Sequence, residues 1–187
     1  MTSASSIRIL DAQVANQIAA GEVVERPASV IKELVENALD AGATRIEVEA
    51  DHGVRFLRVV DNGQGIAPEE VPLAFQRFAT SKLTDYEDVW QLSTMGFRGE
   101  ALPSIASVSK VEMCSRTAAQ DLGRKVVLHG GDVQSESDAG APVGTAITIQ
   151  DLFYNTPARL KFMNQENTEY KHISQLMEAF ALSHPEV

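Results

Sequence analysis

Cysteine is nearly absent: Cys114 stands alone in a chain of 187 residues. One thiol makes no internal disulfide, and its use fits a reducing compartment. Basic residues are scarce as well. Sixteen Lys and Arg against 26 Asp and Glu leave a net charge of -10 and a pI near 4.8. A chain of that sign does not bind nucleic acid by bulk charge, so any phosphate contact comes from a local site. No apolar run approaches the ~18 residues of a membrane span. The opening MTSASSIRIL is too short and too polar for a signal peptide. There is no G-x-x-x-x-G-K-S/T phosphate loop and no G-x-S-x-G elbow. His52, His129, His172, His184 and Cys114 have no metal-ligand spacing. Internal repeats and low-complexity blocks are also missing. What remains is ordinary globular material, 44% hydrophobic and 22% charged, enough for one domain with a core.

The stretch RPASVIKELVENALDAGA, from Arg26 to Ala43, organises the rest. Pro27 suits a first helical turn, where its missing N–H costs nothing. Gly42 suits the position just past the helix, where the chain turns left-handed. At 100° per residue Val30, Leu34, Ala38 and Ala41 share one face, with Ile31 and Val35 beside them. Glu33, Asn37 and Asp40 stack on the other. That stripe reads either as a solvated face or as a site. Asn37 argues for the second, since Asn is a poor helix-interior residue. A carboxylate and an amide one turn apart can hold a hydrated divalent cation and a water side by side.

Before this helix, residues 7–10 suit a short strand, and Asp11 caps a helix running to Gly21. After it, Thr44 to Ala50 alternates as a half-buried strand and Val54 to Val60 returns as its hairpin partner. The second strand runs into Asp61-Asn62-Gly63-Gln64-Gly65-Ile66. Its two glycines permit a tight path close to a ligand, with Asp61 as an acceptor facing it. As a lone motif this is also an ordinary turn after a strand. Pro68 begins a short helix through Val71, Leu73, Ala74 and Phe75.

From Arg77 to Glu100 the chain is polar and irregular, ending in Gly96-Phe97-Arg98-Gly99 before an apolar helix from Glu100 to Val108. Glycine-rich backbone at a helix start is either an anion site or a plain junction. Such a segment buries little and opens cheaply. Lys110 to Arg116, Arg124 to His129 and Asp132 to Glu136 read as strands, the last two joined at Gly130-Gly131. Gly144-Thr145 leads into a strand from Ala146 to Gln150, then an ordered loop from Asp151 to Arg159. A last amphipathic helix spans Glu169 to Ser183, with Ile173, Leu176, Met177 and Phe180 on its core face.

The order of these motifs resembles the GHKL ATPases: a helix with E-x-x-x-N, then DNGxGI, then a segment ending in GFRGEAL, then Gly-Thr before a strand. QIAAGEVVERPASVIKELVENALDAGA, ATSKL with GFRGEAL, and DLFYNTPARLKF narrow the resemblance to the MutL mismatch-repair proteins, from about Ile7 to the end of the sequence. One departure is Phe78, where bacterial members more often carry His.

The resemblance implies an α/β fold: a two-layer sandwich of a mixed, mainly antiparallel sheet with helices on one face. ATP and Mg²⁺ are the implied cofactors. Glu33 is implied as the general base and Asn37 as the magnesium ligand. Asp61 would accept the adenine amino proton, and Thr145 would support the base. Ala41, Gly63, Gly65 and Ile66 complete the base end. Thr80, Ser81, Lys82, Gly96, Phe97, Arg98, Gly99, Glu100, Ala101 and Leu102 would close on the phosphates.

The implied activity is slow ATP hydrolysis that drives lid closure and dimerisation. The alternative is a nucleotide-binding switch with negligible hydrolysis, while a histidine kinase-type phosphoryl donor is disfavoured by Glu33 and the DLFYNTPAR stretch. In the family a second domain supplies a lysine to the γ-phosphate and a further domain dimerises. Residues 1–187 are thus expected to be the ATPase domain alone, monomeric, with ATP at best weakly bound and a mobile lid. The implied partners are a second copy of the full-length protein, a MutS-type mismatch-recognition protein, a downstream nuclease or helicase, and DNA through the dimer, with no membrane. The implied location is the bacterial cytoplasm.

Overall fold

The computed structural model describes residues 20–21, 23–51, 55–79 and 99–187. The expected strand at residues 7–10 and most of the helix from Asp11 lie outside them, as does most of the 77–100 segment. Helix α1, Pro27–Asp40, is the expected organising element, with Pro27 in its first turn and Gly42 beyond its end at φ +72°. Val30, Ile31, Leu34, Val35 and Ala38 are all buried, as the periodicity requires.

Strands β1 (Ile46–Asp51) and β2 (Phe56–Asp61) follow as an antiparallel hairpin. Helix α2 (Ala101–Ser107) leads into β3 (Lys110–Arg116), β4 (Gly123–His129), β5 (Asp132–Ala139) and β6 (Gly144–Gln150). Two helices end the chain, α3 (Pro157–Phe162) and α4 (Glu166–Ser183). The six strands lie in the order β1-β2-β6-β3-β4-β5. Every pairing among the described strands is antiparallel, so the sheet is described without the parallel member that a mixed sheet calls for.

The alternation of each central strand sends one set of side chains to the core. Leu57, Val59, Val111, Met113, Val126, Leu128, Ile147 and Ile149 pack with the apolar face of α1 and with Ile105 of α2. At about 25 cal/mol per Å² of apolar surface removed from water, this face is the main source of stability. Glu47, Glu49, Arg58 and Glu112 point the other way, into water. The helices therefore cover one face.

Three local expectations change. Between Pro68 and Phe75 only turns and a single 3₁₀ turn, Leu73–Phe75, form. Pro72 has no N–H to continue a helical ladder begun at Pro68. α3 lies where part of a loop was expected: Thr156-Pro157 is a helix start, with Pro in the first turn. β5 runs on to Ala139, although its sequence is polar, because β4 supplies its partners.

Candidate functional site

The site grows from the sheet's register. β6 enters between β2 and β3 and pairs antiparallel with both. Val60 lies opposite Ala146, and Thr145 lies opposite Ser115. One residue beyond Val60, Asp61 reaches Thr145. Asp61, Thr145 and Ser115 thus form a row across three central strands at one end of the sheet.

Hydrogen bonds fix that row. Asp61 Oδ1 accepts the Gly63 N–H at 2.8 Å and the Thr145 N–H at 3.3 Å. Among the described residues no donor reaches Asp61 Oδ2. Burial raises the Asp61 carboxyl above the usual aspartate range, against the two N–H bonds that lower it. Ser115 Oγ accepts the Ile66 N–H at 2.8 Å and lies 2.8 Å from Thr145 Oγ1. Asn62 pins the loop from outside: its Oδ1 accepts the Thr44 and Arg45 N–H groups, both at 2.9 Å.

The glycines are close-approach positions. A Cβ on Gly63 would lie 2.9 Å from Ala41 Cβ, and the Gln64 N–H donates to the Ala41 carbonyl at 3.0 Å. The end of α1 is thereby held against the 61–66 loop. Gly65, at φ +73°, would place a Cβ 2.1 Å from the Arg116 carbonyl oxygen. No L side chain fits there.

Ala41, Asp61, Gly63, Gly65, Ile66 and Thr145 are therefore brought together. Glu33 and Asn37 sit one turn apart on the neighbouring stripe of α1, both half-buried rather than fully solvated. Glu33 keeps 27% of its side chain exposed, with Lys32 Nζ 3.9 Å away. Gly99 lies against the start of the polar segment, accepting the Phe78 N–H at 3.0 Å. Glu100 precedes the first turn of α2, which contains Ala101 and Leu102. None of Gly99 to Leu102 hydrogen-bonds to the Asp61–Ile66 loop among the described residues. Thr80, Ser81, Lys82, Gly96, Phe97 and Arg98 lie outside the described residues. Two concavities occur elsewhere, one beside Gly42, Thr44 and His184 and one beside Arg26, Arg159 and Glu169; neither is lined by Asp61 or Asn37.

Sequence reasoning missed Ser115, and it quoted Asn62 and Gly144 within motifs without giving either a role. Ser115 has a signal: Val111 and Met113 alternate into the core, and a Ser occupies the next inward position. A polar group at a position that periodicity assigns to the core is informative. Gly144, at φ +119°, would put a Cβ 2.1 Å from the Asp61 carbonyl oxygen, a contact no local pattern shows.

A half-buried carboxylate with one oxygen locked and one open can select a neutral donor such as an amino group. Residues 25–151 match the histidine kinase-, DNA gyrase B-, and HSP90-like ATPase family. The chain is 56% identical over 181 residues to the DNA mismatch repair protein MutL of Acidobacterium capsulatum, covering 96% of this chain and 27% of that protein. It is 53% identical to MutL of Halothermothrix orenii, covering 97% of this chain and 28% of that protein. The chain thus spans little more than a quarter of those relatives. Among solved structures it is similar to the Aquifex aeolicus MutL ATPase domain complexed with ADP, with a TM-score of 0.71 and 39% identity over 88% of this chain and 58% of that one.

Proposed function

The chain belongs to the histidine kinase-, DNA gyrase B- and HSP90-like ATPases, of the MutL type, and on that premise we propose that the Asp61 row is the adenine end of its ATP site. The observation that carries this is the division of labour on Asp61. Oδ1 is held by two backbone N–H groups, which fixes the carboxylate plane. Oδ2 is left to accept the adenine amino proton, and Gly63 and Gly65 let the backbone come close. The solved relative was described with ADP bound, which fits a purine diphosphate at this place.

The helix stripe then supplies the chemistry. Asn37 would hold a cation through its amide oxygen, and no group of three His, Cys, Asp or Glu among the described residues forms a metal site. Such a donor set suits Mg²⁺ that arrives with phosphate oxygens and keeps several waters. The ion, when bound, neutralises charge on the phosphates. Glu33, one turn earlier, orients and deprotonates the attacking water. The backbone of Gly99 to Leu102, with Thr80, Ser81, Lys82, Gly96, Phe97 and Arg98, closes on the phosphates. The whole protein's role, on this reading, is ATP-driven closure and dimerisation in DNA mismatch repair, passing from a MutS-type partner to a downstream nuclease or helicase.

Titration calorimetry with ADP tests the base contact. Asp61→Asn replaces an acceptor-only group with one that also presents donors. Affinity is expected to fall by about 1.5–3 kcal/mol, the range for a hydrogen bond to a charged group. Equal ADP binding in variant and parent would refute the contact.

A further inference from the structure

Glu169, in the first turn of α4, is a charged side chain that the fold encloses, with 1% of it exposed. Its Oε1 accepts two bonds from Asn164, one from the backbone N–H at 3.2 Å and one from the side-chain amide at 2.8 Å. Its Oε2 is buried, and among the described residues no donor reaches it. Leaving a buried carboxylate oxygen unpaired is costly, so a partner is expected within the fold. Glu169, Arg26 and Arg159 line one cavity of about 280 Å³. Arg26 is taken by Glu25 at 3.0 Å. Arg159, from α3, is placed elsewhere: its Nη1 donates to the Val24 carbonyl at 3.2 Å. It gets there by lying across Gly21, where a Cβ would overlap its guanidinium.

Val24 is 0% exposed, so one guanidinium stands between two buried acceptors. One is a neutral carbonyl, held at the long end of the hydrogen-bond range. The other is a carboxylate on the cavity that Arg159 itself lines. A bond to a carboxylate is about twice as strong as a neutral one. Moving the charge further from water offsets that gain. Serving either acceptor leaves the other unpaired, which makes a two-state element. We infer that Arg159 is a two-seat latch. On Val24 it ties the corner between α3 and α4 to the turn that enters α1; on Glu169 Oε2 it lets that turn go. Because α1 carries Glu33 and Asn37, the seat sets how firmly the entry to that helix is held. The latch does not depend on the nucleotide reading.

The test follows two signals in the whole 187-residue chain. One is the ¹⁵N resonance of the Arg159 side chain. The other is hydrogen exchange of the Val24 N–H, which donates to the Ala20 carbonyl at 2.7 Å. Glu169→Gln keeps the shape and removes the charge, so Arg159 is expected to stay on Val24 and exchange to slow by about two- to fivefold. Gly21→Ala fills the space that the guanidinium crosses. Arg159 is then expected to move to Glu169 and exchange to quicken by about fivefold, the worth of one hydrogen bond. The parent's side-chain resonance is expected to lie between those of the two variants. Arg159→Met is expected to quicken exchange and to erase the effect of Glu169→Gln. Should Glu169→Gln not fold, Glu169→Asp, which draws the carboxylate back, is expected to act in the same direction. A purely structural Glu169 gives the opposite sign: Glu169→Gln quickens exchange, and does so equally in the Arg159→Met background, which overturns the inference. So does an Arg159 resonance that is the same in parent, Gly21→Ala and Glu169→Gln. A Glu169→Gln effect that survives Arg159→Met and vanishes in Arg26→Met gives the seat to Arg26 and overturns it as well.

Discussion

The middle of the sheet and its far edge use the same antiparallel pairing and carry opposite kinds of polar residue. At the middle, β2, β6 and β3 bury Ser115 and half-bury Asp61 and Thr145, and backbone N–H groups fix their orientation. At the edge, β5 is exposed at seven of its eight positions. Arg124 of the neighbouring β4, with 31% of its side chain exposed, reaches out to Glu136 at 3.2 Å and Asp138 at 3.1 Å on β5. A polar group inside must be placed by the fold, because leaving it unpaired costs more than an ordinary hydrogen bond returns. A polar group at the edge keeps solvent as a partner and blunts an otherwise sticky strand. Burial separates a residue that specifies chemistry from one that keeps the protein soluble.

Glycines give the sharpest way to break the comparison. Gly144→Ala places a methyl against the Asp61 carbonyl oxygen at a backbone angle unsuited to L side chains. A loss of about 3–5 kcal/mol in urea unfolding is expected, by clash and strain together. Gly140, with nothing within 4 Å of a Cβ, lies in the loop between β5 and β6. Gly140→Ala is expected to change stability by no more than about 0.5 kcal/mol. Equal costs at the two sites would remove the distinction.

Next in size is the hydrolytic step. Glu33→Ala is expected to keep ATP binding and lose single-turnover hydrolysis by about 10²–10⁴-fold. Retained turnover in a clean preparation would assign the base elsewhere. Asn37→Ala is expected instead to lose the magnesium-dependent part of nucleotide affinity, measured by titration with and without the ion.

A smaller effect concerns pH. Burial raises the Asp61 carboxyl in the folded state. Its ionised form is therefore less favourable in the fold than in the unfolded chain, so Asp61 costs stability above its folded-state pKa. That cost fades as pH falls through the folded value toward the unfolded one. Asp61→Asn is expected to be more stable than the parent near pH 7, with the gap closing in acid. Denaturant titration across pH reads it directly; a gap that widens in acid has the wrong sign. Smallest is the edge: Arg124→Ala is expected to cost about 1 kcal/mol or less, since exposed ion pairs contribute little.

The sequence made α1 legible because its caps, Pro27 and Gly42, and its apolar stripe agree with one another. Asp61, Gly63 and Gly65 were visible as a strand running into a turn. Their purpose was not visible from the residues alone, because the partners, Thr145 and Ser115, are far along the chain and meet Asp61 only through the register of β6. Ser115 was hidden for a second reason. Alternation reports which side a residue faces, and a lone Ser on the inward side looks like noise until its neighbours in space are known. The short helix at Pro157 was missed because six residues give periodicity too little to act on. β5 was cut short because its polar composition resembles a loop, and pairing with β4 overrode it.

The most direct measurement of the central claim is the titration of ¹⁵N-labelled protein with ADP, followed by amide chemical shifts. The expected result is that Gly63, Ile66 and Thr145 move most and saturate together, while Asp132 to Ala139 of β5 stay still. Shifts centred on β5, or saturation at the edge with the Asp61 row unmoved, would contradict it.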